Sequence, residues 1–191
     1  MTLLEVTAIV ISVIALVFTG FKDFILPFIF RPRVYLEGQN DAFCIHDTKN
    51  HLPRGFVDAR WVRLRIKNVG RFTVPARGCY VKILEIIDPT RQVITPFSPS
   101  LLTWVGYDSR KENLAKNEEH YIDLVNKSDG ATAFEISKVA IPNALAMQTP
   151  SPFSKMGMYT FRIGIYGDNI TGEEHDIKVI HKAGWQGLEF H

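Results

Sequence analysis

The stretch that decides the fold is Arg60-Trp-Val-Arg-Leu-Arg-Ile-Lys67. Along it, Val62, Leu64 and Ile66 share one face, and the other face carries basic side chains, namely Arg63, Arg65 and Lys67. A repeat of two residues is typical of a β-strand that buries one face. The stretch therefore predicts a strand that packs its apolar face against a core and turns a basic face outward.

Short runs of the same kind recur through the rest of the chain. Further strands are predicted at 33–36, 79–83, 92–95, 101–105, 120–125, 158–166 and 176–181. Turns rich in Gly, Pro, Asn and Asp separate them, and no helix long enough for a crossover is evident. About seven to nine such strands predict a mainly β fold, an antiparallel β-sandwich over residues 31–191.

The first thirty residues differ from the rest in composition. Between residues 3 and 21 the only charge is Glu5, and a helix of ~19 residues reaches ~28 Å, close to the hydrocarbon thickness of a bilayer. We therefore predict a transmembrane helix with an interfacial segment over residues 1–30. The mean hydropathy of +0.01 and net charge of +2 average this apolar block with a polar remainder.

The charges that follow the apolar block indicate its orientation. Lys22, Arg31 and Arg33 come after the span and are predicted to lie at the membrane interface, whereas only Glu5 and the α-amino group precede it. By the positive-inside rule, the helix spans the cell membrane with its amino terminus outside and with the β domain in the cytoplasm. The reverse, an extracytoplasmic domain, stays open. We favour a helix that ends near Lys22 over one that continues through a kink at Pro27.

A row of small and polar residues follows the predicted helix at steps of three and four, formed by Glu5, Ala8, Ser12, Ala15 and Thr19. Small residues let helices approach closely in lipid, and polar ones add hydrogen bonds between them. The row predicts a helix-packing face, through which the chain forms a homo-oligomer or pairs with other spans.

Three groups of residues resemble immunoglobulin-like sandwiches of the CARDB and adhesion-module type. Val62-x-Leu-x-Ile-Lys-Asn-Val-Gly70, followed by Val74-Pro-Ala76 and Cys79-x-Val-x-Ile83, resembles their B-to-C hairpin. The later runs Asn117-Glu-Glu-x-Tyr-Ile-Asp-Leu124 and Gly157-x-Tyr-x-Phe-Arg-Ile-x-Ile165 are similar to strand E and to the penultimate strand. The resemblance covers residues 60–182 and implies a non-catalytic recognition or spacer module. The chain departs from it in residues 39–58 and in lacking the antibody cysteine spacing.

Positive charge is concentrated in the predicted hairpin. Residues 59–84 contain seven basic residues and no acidic one, and the face formed by Arg60, Arg63, Arg65 and Lys67 is predicted to meet an acidic protein partner or anionic membrane lipids. The alternative is a solvated outer face of a strand pair. Nucleic acid is not an expected partner, because Trp61 and Tyr80 alone do not make a stacking platform.

The sequence contains few candidates for a catalytic, metal or cofactor site. Cys44 and Cys79 are expected to be reduced in a cytoplasmic domain, and the spacing Cys44-x-His46-x4-His51 matches none of the usual zinc patterns. None of the common hydrolase, nucleotide-binding or metalloprotease motifs occurs. We expect no enzymatic activity, no metal and no cofactor.

Together these features predict a single-pass, membrane-anchored interaction or accessory protein. Its sandwich binds a protein partner, and its helix self-associates or packs with other spans. The alternative is a membrane effector, in which a signal sensed by the sandwich clusters the helices and perturbs the bilayer. With the reverse topology, the domain would be an extracytoplasmic ligand binder that uses Trp61, Trp104 and Tyr107.

Overall fold

The structure is a computed structural model that describes residues 3–52, 55–95, 97, 99–106, 109–137 and 151–191. It begins with helix α1 (Leu3–Gly20), a π-helical segment (Phe21–Ile25) and helix α2 (Leu26–Ile29). The expectation that the helix ends near Lys22 is therefore wrong, since it continues to Ile29. The wider π turn, in which the Leu26 N–H bonds to the Phe21 carbonyl, precedes Pro27, and proline lacks the N–H that a regular α turn uses.

Eleven strands follow in the described residues. They are β1 (Val34–Glu37), β2 (Ile45–Leu52), β3 (Gly55–Asn68), β4 (Ala76–Ile87), β5 (Ser100–Leu101), β6 (Glu112–Leu114), β7 (Glu119–Ser128), β8 (Glu135–Ile136), β9 (Gly157–Tyr166), β10 (Glu173–His181) and β11 (Leu188–Phe190). One antiparallel sheet has the order β1-β3-β7-β8, with β2 also on β3. The other has the order β11-β10-β9-β4-β5, with β6 also on β4. The predicted mainly β class with one N-terminal helix is confirmed.

The core lies between the apolar faces of the two sheets. Val62, Leu64 and Ile66 of β3 are fully buried, and from the other sheet the aromatic side chains Tyr159 and Phe161 of β9 join the same cluster. The period of two in each strand produces this arrangement, because alternate side chains point to opposite faces. Burial of such side chains contributes about 1.5–3 kcal/mol each.

A bulge in β7 enlarges its contribution to the core. Val62 pairs with Val125 and Arg63 pairs with Asp123, so that Leu124 is an extra residue on β7. As a result, both Leu124 and Val125 are fully buried, which strict alternation would forbid.

Several predicted boundaries differ from the structure. Residues 39–58, in which we predicted no strand, contain β2, and β3 begins at Gly55 rather than Arg60. β2 carries mostly polar residues and therefore lacks the apolar alternation by which strands are recognised. Of the predicted run 92–95, only Val93 pairs, in an isolated bridge to Ile87. The run 101–105 is reduced to the end of β5 and a bridge at Trp104.

Strand direction defines two ends of the β domain. β3 and β9 finish at the end where the helix joins, and β4, β7 and β10 begin there. We call this the helix-proximal end; it carries the connections 69–75, 115–118 and 167–172. The opposite distal end carries the turn 88–92 that follows β4.

Candidate membrane and partner interfaces

The row of small and polar residues lies along one exposed side of α1. Ser12 donates its hydroxyl to the Ala8 carbonyl at 2.8 Å, which leaves its oxygen able to accept a hydrogen bond from another helix. A shallow groove of about 320 Å³ runs along this side, lined by Ala8, Ile9, Ser12, Val13 and Leu16. Ala15 and Thr19 are also exposed. Glu5 belongs to α1, but its side chain lies outside the described part of the chain.

The predicted membrane-interface residues divide into two levels. Lys22 is exposed in the π-helical segment, one turn below α2. Arg31 and Arg33 follow α2, where Arg31 Nη1 donates to Thr171 Oγ1 at 3.2 Å. Two cavities of about 390 and 490 Å³ flank these two arginines at the helix-proximal end. The structure therefore brings Arg31 and Arg33 together and separates them from Lys22.

Three of the predicted basic residues share the outer face of β3. There Arg63 Nε lies 2.7 Å from Asp123 Oδ1, and Lys67 Nζ lies 2.8 Å from Glu119 Oε1. Both carboxylates belong to the neighbouring strand β7. These cations are therefore paired across the sheet, and the hydrogen bond from Lys67 lowers the pKa of Glu119.

Arg65 stands between these pairs and contacts carboxylates from several directions, namely Glu37, Asp41 and Glu119. Its guanidinium also lies 5.9 Å from the centre of the Tyr121 ring. Burial opposes ionisation of Asp41, but the N–H groups of Cys44 and Phe43 and the charge of Arg65 outweigh it, so that the pKa of Asp41 is lowered.

Arg60 does not share this outer face. It has the parity of Val62 and Leu64, so its side chain points toward the space between the sheets. There Arg60 holds Asp47 of β2 in a bidentate pair at 2.7 and 2.8 Å and donates to the Gln186 carbonyl at 2.6 Å. Its hydrogen bonds lower the pKa of Asp47. The predicted four-residue basic face is thus three residues on one side and one on the other.

One group at the helix-proximal end is absent from the sequence prediction. The turn Val69-Gly-Arg-Phe72 places Phe72 against Phe30 at the end of α2, with ring centroids 4.4 Å apart. The Arg71 guanidinium lies 5.9 Å from the centre of the Phe72 ring, and Val69 is about half exposed. The signal in the sequence was a Val and a Phe within a turn, where polar residues are the rule.

A second unpredicted group lies inside the distal end. Lys127 Nζ is 2.8 Å from His181 Nε2 and 3.1 Å from the Lys182 carbonyl, and both Lys127 and His181 are almost fully buried. His181 Nδ1 lies 2.9 Å from the Lys155 carbonyl, so Nδ1 donates and Nε2 accepts. Burial lowers the pKa of both Lys127 and His181. The bulge in β7 is what turns Lys127 inward.

The cysteines and aromatic residues do not assemble into a binding site. Cys44 and Cys79 are free thiols and fully buried. Trp104 is fully buried as well, which removes it from any surface formed with Trp61, and Tyr107 lies outside the described residues. Within the described ranges, no three His, Cys, Asp or Glu side chains are grouped closely enough to hold a metal ion.

The N-terminal helix is a candidate membrane span. Val6–Asp23 is long and apolar enough to cross a membrane, and the β domain buries none of that window. Comparisons with protein families, curated proteins and solved structures found no match to this chain.

Proposed function

We propose that this chain is a single-pass, membrane-anchored interaction protein. Its helix self-associates or packs with other spans in the cell membrane, and its β domain binds a protein partner on the cytoplasmic side without catalysing a reaction. Activity at the membrane then depends on how the spans assemble.

The row on α1 is the observation that carries this proposal. Within the candidate span, residues 6–19 and 21–23 are exposed, including Ala8, Ser12 and Ala15, so the span has lateral surface available for another helix. Association in lipid relies on close packing of small residues and on hydrogen bonds, since lipid tails are as apolar as leucine. The groove beside Ser12 supplies both features on one side of the helix.

The order of the strands supports an immunoglobulin-like recognition module. β1-β3-β7 and β10-β9-β4 follow the pairing order A-B-E and G-F-C of that fold. β3 and β4, which we predicted as a hairpin, do not pair with each other and belong to opposite sheets. Strands B and C of the immunoglobulin fold also lie in opposite sheets. Modules of this architecture present their loops and edge strands to other proteins, which supports the proposed partner binding.

Substitution on the row tests the proposed association. The variant Ala8→Leu/Ser12→Leu/Ala15→Leu fills the groove while keeping the span apolar, and we expect it to be monomeric in mild detergent where the unchanged chain is oligomeric. Sedimentation equilibrium measures the size. The matched control, Val6→Leu/Val10→Leu/Val17→Leu on the opposite side of the helix, should keep the oligomer. The same size for both variants would contradict the proposal.

A second measurement separates an interaction protein from a membrane effector. Purification of the intact chain in mild detergent, followed by mass and stoichiometry, reports a partner that remains bound in a fixed ratio. An effector would instead depolarise the cell membrane on expression, and the groove-filling variant would abolish that depolarisation.

A further inference from the structure

The helix-proximal end carries positive charge that the rest of the sheet does not neutralise. In the part of the chain that the structure describes, neither Arg33 nor Arg71 forms an ion pair with a carboxylate. The basic residues of β3, by contrast, are all paired. Lys116 adds charge to the same place, since its ammonium group donates to the Arg71 carbonyl at 3.0 Å.

These arginines line a cavity that is also apolar. It has a volume of about 490 Å³, lies between the end of α2 and the turn after β3, and is lined by Ile29, Arg31, Arg33, Val69, Arg71 and Phe72. Glu173 lines the neighbouring cavity on the other side of Arg31 and Arg33. Three guanidinium groups beside three apolar side chains match a phospholipid, whose phosphate is anionic and whose acyl chains are apolar.

The turn that closes this cavity is held in place. The Val69 N–H donates to the Arg33 carbonyl at 2.8 Å, and the Gly70 N–H donates to the buried Asn68 Oδ1 at 3.1 Å. A Cβ atom on Gly70 would lie 3.1 Å from the Arg33 nitrogen, so glycine permits this close approach. The cavity is therefore preformed by the fold.

The length of the helix places this cavity at the membrane surface. The 18-residue window Val6–Asp23 spans ~27 Å at ~1.5 Å per residue, close to the hydrocarbon thickness. The helix continues to Ile29, so that the length from Val6 to Ile29 is ~36 Å at ~1.5 Å per residue. The hydrocarbon core of ~30 Å and the headgroup layer of one leaflet, ~5–7 Å, together measure ~35–37 Å. Arg31, Arg33 and the turn beside them thus meet the outer part of the headgroup layer.

We propose that the cavity formed by the end of α2 and the turn Val69-Gly-Arg-Phe72 binds the headgroup phosphate of an anionic phospholipid in the leaflet that anchors the helix. Arg33 and Arg71 contact the phosphate, and Phe72 and Val69 enter the interface beside Phe30. This inference rests on the proposed membrane anchoring, and it adds a second membrane contact that fixes the β domain against the bilayer.

Tryptophan quenching in the full chain tests this contact. We reconstitute three variants into nanodiscs with brominated phosphatidylcholine, with and without phosphatidylglycerol. They are Phe72→Trp, Phe18→Trp in the span, and Phe56→Trp at the distal start of β3. We expect Phe18→Trp to be quenched in both lipids, Phe72→Trp to be quenched chiefly with phosphatidylglycerol, and Phe56→Trp to stay unquenched. The fluorescence of Trp61, Trp104 and Trp185 in the unchanged chain is subtracted.

Removal of charge separates lipid binding from simple proximity. In the Phe72→Trp background, the quenching reports the equilibrium between the β domain in contact with the anionic bilayer and the β domain away from it. Arg71→Gln and Arg33→Gln should each reduce this equilibrium constant by about fivefold. Arg91→Gln removes the same charge from the exposed distal turn and should leave docking unchanged.

The outcomes distinguish this inference from the proposed anchoring. If Phe18→Trp is quenched but Phe72→Trp is not, the chain spans the membrane and the lipid site is overturned. Quenching of Phe72→Trp that depends on neither phosphatidylglycerol nor Arg71 also overturns it. If Phe18→Trp is not quenched, the anchoring fails and the lipid site fails with it.

Discussion

At the scale of single residues, Asn68 holds the helix-proximal end together. Its side-chain amide donates to the Val74 and Leu114 carbonyls at 3.0 and 3.1 Å, and its oxygen accepts from the Gly70 N–H at 3.1 Å. Asn68 is fully buried, so no water replaces these partners when the side chain is removed. One polar residue at the end of β3 thereby fixes the turn on which the proposed lipid site depends.

We expect Asn68→Ala to destabilise the β domain by about 3 kcal/mol, because it leaves buried backbone groups without partners at about 1–3 kcal/mol for each. Urea unfolding of the full chain in detergent, followed by tryptophan fluorescence, measures this loss. Asn113→Ala is the control, since Asn113 accepts one hydrogen bond from the Gly78 N–H at an exposed site, and its cost should be about 1 kcal/mol or less. Equal costs for the two variants would show that the network of Asn68 is not a major contributor.

The buried His181 should make stability depend on pH. Its pKa is lower in the folded chain than its ordinary value of 6.5, so as the pH falls through 6.5 the unfolded chain binds the proton first. Folding stability is therefore present above that pH and is lost as the pH falls toward the folded pKa. The Lys127 ammonium group contacts this histidine, and Lys155, whose carbonyl accepts from the His181 ring, pairs its own ammonium group with Asp88.

His181→Gln tests this dependence, because a glutamine can accept from Lys127 and donate to the Lys155 carbonyl without titrating. Between about pH 7.5 and about pH 5, above the range in which carboxylates titrate, we expect the unfolding free energy of the unchanged chain to fall and that of the variant to stay nearly level. His175→Gln, at a site about one-quarter exposed on the same strand, is the control and should retain the slope. A slope that persists in His181→Gln would assign it to another group.

At the scale of elements, β3 shows how far the sequence could be read. Its alternation predicted the buried face correctly, and the same parity separates Arg60 from Arg63, although grouping by charge placed them together. β2 escaped prediction because its residues are mostly polar and therefore show no apolar period. The bulge in β7 also escaped, because one extra residue is defined only against the partner strand.

The candidate sites were predictable to different degrees for the same reason. The row on α1 is local, since residues at steps of three and four share a side of any helix, and it could be read directly. The ion pairs of β3 and the contact between Phe30 and Phe72 join residues distant in sequence, so they depend on sheet pairing that no single stretch specifies. A list of basic residues could not show which of them had partners.

The outer face of β3 leads to a prediction about Arg65. Its guanidinium is about one-sixth exposed and faces Glu37, Asp41 and Glu119. Arg65→Gln therefore leaves Glu37 and Asp41 without this cation and leaves Glu119 with Lys67 alone. We expect a loss of about 2 kcal/mol, between the values for buried and for surface pairs.

Lys67→Gln provides the comparison within the same face. Lys67 pairs with Glu119 alone, and both side chains are about one-third exposed, so its loss should be about 0.5 kcal/mol. Urea unfolding at low and high salt measures both variants. If Lys67→Gln lowers the free energy of unfolding as much as Arg65→Gln does, the position of Arg65 among several carboxylates contributes no additional stability.

At the scale of the whole molecule, the ion pairs rather than the sequence segments determine which charges are neutralised. The basic β3 and the acidic residues of β7 and of the chain around β2 neutralise one another within one sheet. Among the described residues, Arg33 and Arg71 at the helix-proximal end form no ion pair within this network and lie next to the apolar span. Positive charge beside a membrane anchor favours the cytoplasmic face, where the bilayer is anionic, so the proposed lipid site and the proposed orientation have a common physical origin.

The orientation leads to a prediction that uses the buried thiols. Burial raises the pKa of Cys44 and raises that of Cys79 to about 12, so neither should react with a maleimide in the folded chain. Phe56→Cys places an accessible thiol at the distal start of β3, because Phe56 is 69% exposed. In intact cells a membrane-impermeant maleimide should leave Phe56→Cys unlabelled and label it only after lysis, whereas Thr2→Cys should be labelled in both. The opposite pattern would place the β domain outside the cytoplasm, and it would also assign the arginine-lined cavity to the outer leaflet.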